Sequence, residues 1–299
     1  MNDKDLSVFE SHRAQLLALG YRMLGDLGRA EDMVQEAWLR WTGRGEEAQS
    51  ARAYLVTVVT RLCLNELDSA RHRKEEARSD RLPEPIDLES GGLSRLEALE
   101  HVSMAFLVAF QRLTPAERAV LLLHDVFDFE HREIAPLVGK SDAACRKLLE
   151  RARESLSSEK RMFTVPPAAH ERLLAAFVRA AGAGDTASLV AVLAEDAVMI
   201  TDGGAEGRRI GGLRNLAVPL HGAERIAAFV IATTRRGSVT LTPEIRALNG
   251  RAALVLYQNG TPFGAITLGV DEHRIHRVYF HGDVSRLTRL GRSAEVPPI

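Results

Sequence analysis

The apolar periodicity of this 299-residue chain changes once, and that change limits the folds open to it. Up to about Leu156, apolar residues recur at the three-to-four spacing of helices. Beyond about Ala197, strand-length apolar blocks dominate. Pro166-Pro167 marks the boundary. A helical part followed by an α+β part is expected, in keeping with about two domains for this length.

The helical part reads as several runs. The first covers Phe9 to Leu24. After Gly25-Asp26 comes RAEDMVQEAWLRW, in which Met33, Val34, Ala37, Trp38 and Trp41 share one face, and Gly43 and Gly45 stop it. A third run extends from Ala51 to about Lys74. Its core, YLVTVVTRLCLNEL, has strand propensity, but Tyr54, Leu55, Val58, Val59, Leu62 and Cys63 repeat with helical spacing, so a buried helix is expected. Residues 75–95 are polar, with Pro83, Pro85, Gly91 and Gly92, and read as an exposed linker. Helical periodicity resumes near Leu96 and runs to Leu113. Thr114-Pro115-Ala116-Glu117 then starts a new helix: Thr as cap, Pro in first place, Glu three residues after the cap.

In Asp125–Leu156, a short segment around Ile134, a turn at Gly139 and a helix capped by Ser141 make a helix-turn-helix. Pro136 keeps its first helix short. Past the boundary, helices are expected over residues 168–181, 185–193 and 223–234. Strands are expected over 197–201, 239–248, 251–258, 263–270 and 275–280, with a tight Asn249-Gly250 hairpin turn. The late strands read as an antiparallel meander.

Composition narrows the function. Two cysteines, Cys63 and Cys145, offer neither a disulfide framework nor zinc spacing, and no H-E-x-x-H or C-x-x-C motif is present, so no metal or cofactor is expected. No apolar run is long enough to span a membrane and the first residues are polar, so a cytoplasmic protein is expected. The net charge of −1 divides into −5 over residues 1–160 (23 basic, 28 acidic) and +4 over 161–299 (16 basic, 12 acidic). Within the acidic half the basic residues cluster, which matters more for nucleic acid than the sum. The second helix of the helix-turn-helix carries Arg146, Lys147, Arg151 and Arg153 behind a small first turn, Ser141–Ala144, of a size to enter a major groove. An ordinary hairpin with a solvated basic face is the competing reading. Arg71-His72-Arg73-Lys74 either complements a helix dipole or contacts phosphates. Asp32, Gln35, Glu36 and Arg40, beside two tryptophans, suit either an amphipathic helix or a protein-docking face.

Together these motifs resemble the extracytoplasmic-function group of bacterial sigma factors over about residues 6–157. AEDMVQEAWLRW resembles their helix that grips the coiled coil of the largest RNA polymerase subunit, which implies polymerase contacts by Asp32, Gln35, Glu36, Trp38 and Arg40. ARAYLVTVVTRLCLNEL followed by RHRK resembles their minus-ten helix. DNA contacts by Arg52, Tyr54, Arg61, Asn65, Arg71, Arg73 and Lys74 are implied, with the loop Gly43–Ser50 holding an extruded base. LTPAERAVLLLHDVF and EIAPLVGKSDAACRKLLERAR resemble the minus-thirty-five reader, implying Ser141, Ala144, Arg146, Lys147 and Arg151 at the DNA. The polymerase flap is a further implied partner.

DTASLVAVLAEDAVMITDGG resembles the opening of SnoaL-like domains, a cone-shaped α+β fold or half-barrel that one subgroup of these sigma factors carries at its C-terminus. That subgroup shows a W-L-P-E-P linker motif, matched here by Leu82, Pro83, Glu84 and Pro85 after Arg81, and a D-G-G-G-K motif, matched by Asp202, Gly203 and Gly204 before Ala205 and Glu206 depart. Its late N-P-D-K-L motif is only faint in Gly282–Leu287. The resemblance implies that these segments lie near a regulatory contact, and leaves room for a small-molecule ligand. Asp202, Tyr257, His276, His281 and Asp283 offer acid–base groups, but a regulatory, non-catalytic cone is the expectation. The expected division is a polymerase and minus-ten module over 6–75, a linker over 76–95, a helix-turn-helix module over 96–160 and the cone over 166–290. Two alternatives stand beside it: a DNA-binding activator with a ligand-sensing cone, and an isomerase or cyclase fused to a helix-turn-helix.

Overall fold

A computed structural model describes residues 3–42, 50–72, 81–87, 102–203, 209–210, 213–214, 216, 218–236 and 240–291. Arg73, Lys74, Gly204 and the expected base-holding loop up to residue 49 lie outside the described residues. The described chain forms two compact units.

The first unit is helical. Helices α1 (Asp3–Leu24), α2 (Leu27–Trp41) and α3 (Ala51–His72) pack on one another. The turn between α1 and α2 uses Gly25 at φ 68°, and Asp26 caps α2 by accepting the Arg29 N–H at 3.0 Å. Leu55, Val56, Val58, Val59, Leu62 and Cys63 of α3 are all buried, so the helical spacing outweighs the β-branched composition. From Leu107 onward, helix α4 (Met104–Gln111) belongs to this unit and precedes α5 (Pro115–Asp125), whose capping box forms as expected between Thr114 and Glu117. Then come α6 (His131–Val138), Gly139 in the left-handed region at φ 63°, and α7 (Asp142–Ser157), capped by Ser141. Pro136 lies inside α6, which spans only eight residues. Arg118 of α5 is buried and donates to three carbonyls: Leu113 at 3.1 Å, Met23 at 2.7 Å and Gln111 at 2.7 Å.

The second unit is α+β. Helices α8 (Pro167–Ala183), α9 (Thr186–Val192) and α10 (Ala223–Arg236) cover one face of a six-stranded sheet. Its strands are β1 (Leu193–Asp202), β4 (Leu220–His221), β5 (Thr242–Leu248), β6 (Arg251–Gln258), β7 (Thr261–Val270) and β8 (Ile275–His281), in the order β4-β1-β8-β7-β6-β5. Strands β2 (Arg209–Ile210) and β3 (Leu213–Arg214) make a separate pair. Leu173, Phe177, Leu189, Ile226, Met199 and Val278 fill the space between helices and sheet. A smaller cluster on the β5–β7 part of the sheet contains Leu248, Val255, Tyr257, Leu287 and Leu290.

The meander β5–β8 is antiparallel as expected, but β1 joins β8 in parallel, so the sheet is mixed. Alternation along a strand does not encode the direction of its neighbour. Strand β1 also begins at Leu193, earlier than expected, with a register break before Val198. The larger correction concerns the linker. Leu82 to Asp87 are buried within the second unit. Leu82 and Ile86 supply apolar surface there, and cone side chains satisfy their backbone amides on either side of the two prolines.

Candidate functional site

The residues expected at the polymerase sit on one helix. On α2, Asp32, Gln35 and Arg40 are exposed, and Glu36 pairs with Arg40 at 2.9 Å. Trp38 is only half-buried, its ring 4.9 Å from that of Phe9. Leu39, absent from the sequence expectation, is 61% exposed on the same surface. An apolar residue flanked by charges has the composition of an interface anchor. Its exposure could have been read from its place on the polar side of the helix.

Helix α3 carries Arg61 and Asn65 exposed, one turn apart. Tyr54 donates its hydroxyl to the Arg40 carbonyl at 3.3 Å and its ring lies 5.7 Å from Trp41. Arg52 is turned onto the α5–α6 turn. It donates to the Phe127 carbonyl at 3.4 Å, its guanidinium 5.5 Å from that ring's centre. Arg71 lies in the last turn of α3.

Helix α7 presents Ser141, Arg146, Lys147 and Arg151 to solvent, with Ala144 half-buried in its first turn. Cys145, Leu148, Leu149 and Ala152 face inward. The Ser141 hydroxyl accepts the Ala144 N–H at 3.3 Å, so the cap fixes the start of the helix. Arg151 also approaches Glu117 at 3.5 Å, and Arg153 is engaged by Asp125 rather than facing solvent alone.

In the second unit, Leu82–Asp87 and Asp202 do meet. Asp202 ends β1 beside His281 of β8, and its Oδ2 accepts the Leu82 N–H at 3.0 Å. Arg286 donates to the Leu82 carbonyl and lies 3.8 Å from Asp202 Oδ2. Arg289 approaches Glu84 at 3.6 Å. Asn249 exchanges two hydrogen bonds with Ile86, and Asp87 pairs with Arg246 at 2.6 Å. Pro83 and Pro85 are buried between these contacts, and Gly203 follows Asp202 half-buried. Sequence reasoning missed Arg246, Asn249 and Arg289. Asn249-Gly250 read only as a turn, which it is, at φ 52° and 69°. The arginines carry no local motif.

Of the five acid–base candidates, Asp202, His281 and Asp283 line one small recess with Leu82 and Arg286, whereas Tyr257 and His276 lie elsewhere with other partners. His276 and His281 lie near opposite ends of β8, His276 at the register irregularity between Ile275 and Arg277. His276 contacts Asp271 at 2.7 Å and Arg161 at 3.2 Å. Asp271 would be raised by burial, but the His273 amide, His276 and the Arg274 amide outweigh this and bring it down to about 2. His281, fully buried against Thr267 at 3.0 Å, is pushed down to about 3, chiefly by burial and further by Arg286. Tyr257 accepts from Arg246 at 2.9 Å, and Asp283 caps the turn at Ser285. Among the described residues no group of histidine, cysteine and carboxylate side chains is placed to hold a metal, and no helix is long and apolar enough to cross a membrane.

Comparison with known proteins adds an independent line. Sigma-70 region 2 matches residues 8–73, and Sigma-70, region 4 matches residues 103–156. The chain is 32% identical over 276 residues to the ECF RNA polymerase sigma factor SigJ of Mycobacterium tuberculosis H37Rv, spanning 90% of this chain and 84% of that one. It is 29% identical over 282 residues to the probable ECF RNA polymerase sigma factor SigI of M. tuberculosis CDC 1551, spanning 93% of each. The crystal structure of M. tuberculosis SigJ matches with a TM-score of 0.72 at 27% identity, over 95% of this chain and 98% of that one.

Proposed function

The chain belongs to the extracytoplasmic-function sigma factors of RNA polymerase, and on that premise we propose how its parts share the work. It is an alternative sigma factor that binds core RNA polymerase and promoter DNA and starts transcription. In our reading, Asp32, Gln35, Glu36, Trp38 and Arg40 grip the coiled coil of the largest subunit. Region 4 meets the flap. Arg52, Tyr54, Arg61, Asn65 and Arg71, with Arg73 and Lys74 beyond them, serve the minus-ten element. Ser141, Ala144, Arg146, Lys147 and Arg151 serve the minus-thirty-five element. Each module alone binds DNA weakly, and tethering through polymerase raises the effective concentration of the second contact. Opening the duplex takes a few kcal/mol of unstacking, offset by capture of the exposed bases.

The SnoaL-like domain regulates rather than catalyses in this reading. The observation that carries it is the pairing of Leu82 with Asp202. The chain joining the two promoter-reading modules is fastened to the cone by hydrogen bonds along Leu82–Asp87, with Asp202 already engaged there and His281 bonded to Thr267. A cytoplasmic location follows from the function. The test is run-off transcription with core polymerase, comparing the full chain with its Asp202→Ala form. We expect Leu82–Asp87 to lose amide protection and transcript yield to change at least about twofold, since a buried hydrogen bond to a charged group contributes about 1.5–3 kcal/mol. A loosened linker with unchanged yield would refute regulation by this contact.

A further inference from the structure

Asp125 is the last residue of α5, where the helix dipole disfavours a carboxylate. Two groups offset that cost. Arg153 of α7 forks onto it, Nη2 donating to Oδ1 at 2.6 Å and Nε to Oδ2 at 3.2 Å. His124 Nδ1 stands 2.8 Å from the same Oδ1, and because a carboxylate only accepts, the proton lies on Nδ1. Partial burial would raise the Asp125 carboxyl, but the bonds from Arg153 and His124 outweigh it and hold it below its ordinary value. His124 in turn stacks on His131, with ring centres 4.8 Å apart and planes 19° apart. His131 opens α6, and its Nδ1 is buried with no hydrogen-bond partner.

These contacts join both helices of the helix-turn-helix through one carboxylate. Helix α6 starts on His131, and α7 is held at Arg153. A proton on His131 would be disfavoured by burial, by His124 on α5, by Arg146 and Arg153 on α7 and by the positive end of α6. Among the described residues, Asp142 favours it. These factors hold the imidazole below its ordinary value.

We propose that His131, His124 and Asp125 are positioning residues for α7: acting through Arg153, they set the angle at which it enters the minus-thirty-five element, and acid weakens that reading through His131. The inference rests on α7 being the reader of that element.

The experiment uses holoenzyme made from core polymerase and the full chain. The template is a promoter selected with the unaltered protein, with its minus-thirty-five element intact or scrambled. The ratio of the two transcript yields is the readout. Asp125→Asn should lower the ratio about threefold to tenfold, as expected for a forked, network-supported ion pair, and leave the scrambled template unchanged. The unaltered protein should keep its ratio down to about pH 6.5 and lose it as the pH falls toward about 5, because His131 charges below the ordinary imidazole value of 6.5. His131→Phe keeps a flat ring without a titrating group and should hold the ratio across that range. An unchanged ratio for folded Asp125→Asn, or an unaltered pH profile for His131→Phe, overturns the proposal. If Asp125→Asn does not fold, the His131→Phe profile decides alone. Arg146→Ala separates the two levels: no effect on the ratio means α7 is not the reader, whereas an effect there with none from Asp125→Asn removes the positioning role only.

Discussion

Asn249 and Ile86 bind each other twice. The Asn249 N–H donates to the Ile86 carbonyl at 2.8 Å, and the Ile86 N–H donates to Asn249 Oδ1 at 3.1 Å. A residue placed for its turn geometry thus also completes the backbone bonding of a segment 163 positions away.

Asn249→Gly isolates the second task. Glycine accepts the positive φ of the turn but has no Oδ1. The buried Ile86 N–H loses its acceptor, at a cost of about 1–3 kcal/mol. Amide exchange at residues 82–87 should accelerate at least about fivefold by that cost, while β5 and β6 keep their protection. Equal protection in both proteins would show that the side chain does not hold the linker.

Arg118 should be among the most sensitive positions of the first unit. Its three backbone carbonyls, on Met23, Gln111 and Leu113, lose a charged donor together in Arg118→Met. A loss of about 3 kcal/mol or more is expected in denaturant unfolding. Lysine should not restore it, because one ammonium does not reproduce the planar fork.

The second unit should weaken in acid through His281. Its folded value of about 3 lies below the ordinary 6.5, so the unfolded chain takes up the proton first. Stability is full above 6.5 and falls as the pH drops from there toward 3. At about pH 5.5 the loss is on the order of 1 kcal/mol. His281→Gln keeps a hydrogen-bonding partner for Thr267 and should remove that part of the slope in pH-dependent melting.

Cys63 offers a reporter on the first unit. Burial pushes its thiol up to about 12, with Glu66 adding to the rise and Arg29 opposing it. Alkylation at neutral pH should follow unfolding and not precede it. Rapid modification of the native protein would contradict the packing of α3.

Leu39→Asp tests the exposed face of α2. At 61% exposure its replacement should leave the melting temperature within about 0.5 kcal/mol equivalent. Affinity for core polymerase should fall at least about fivefold, as truncating a central apolar anchor does.

The helical modules were legible because their signals are local. The Asp26 and Thr114 caps, the glycine turns and the buried stripe of α3 all act within a few residues. Even the β-branched run of α3 could be read correctly, since spacing reports which face is buried whereas propensity does not. The Asn249-Gly250 hairpin was legible for the same reason.

What the sequence by itself determined was the set of elements, their order and the residue types presented on each helix face. Helical spacing, caps and turn residues depend on neighbours within one or two turns of chain. Tertiary structure decided the rest. It buried a proline-rich segment that composition marks as exposed, because Leu82 and Ile86 gain apolar contacts and Asp202 and Asn249 supply the missing acceptors. It turned Arg52 onto Phe127 and Arg153 onto Asp125, and set β1 parallel to β8. Each of these depends on groups far apart in the chain, and the free energy of pairing them exists only once the fold has brought them within hydrogen-bonding distance.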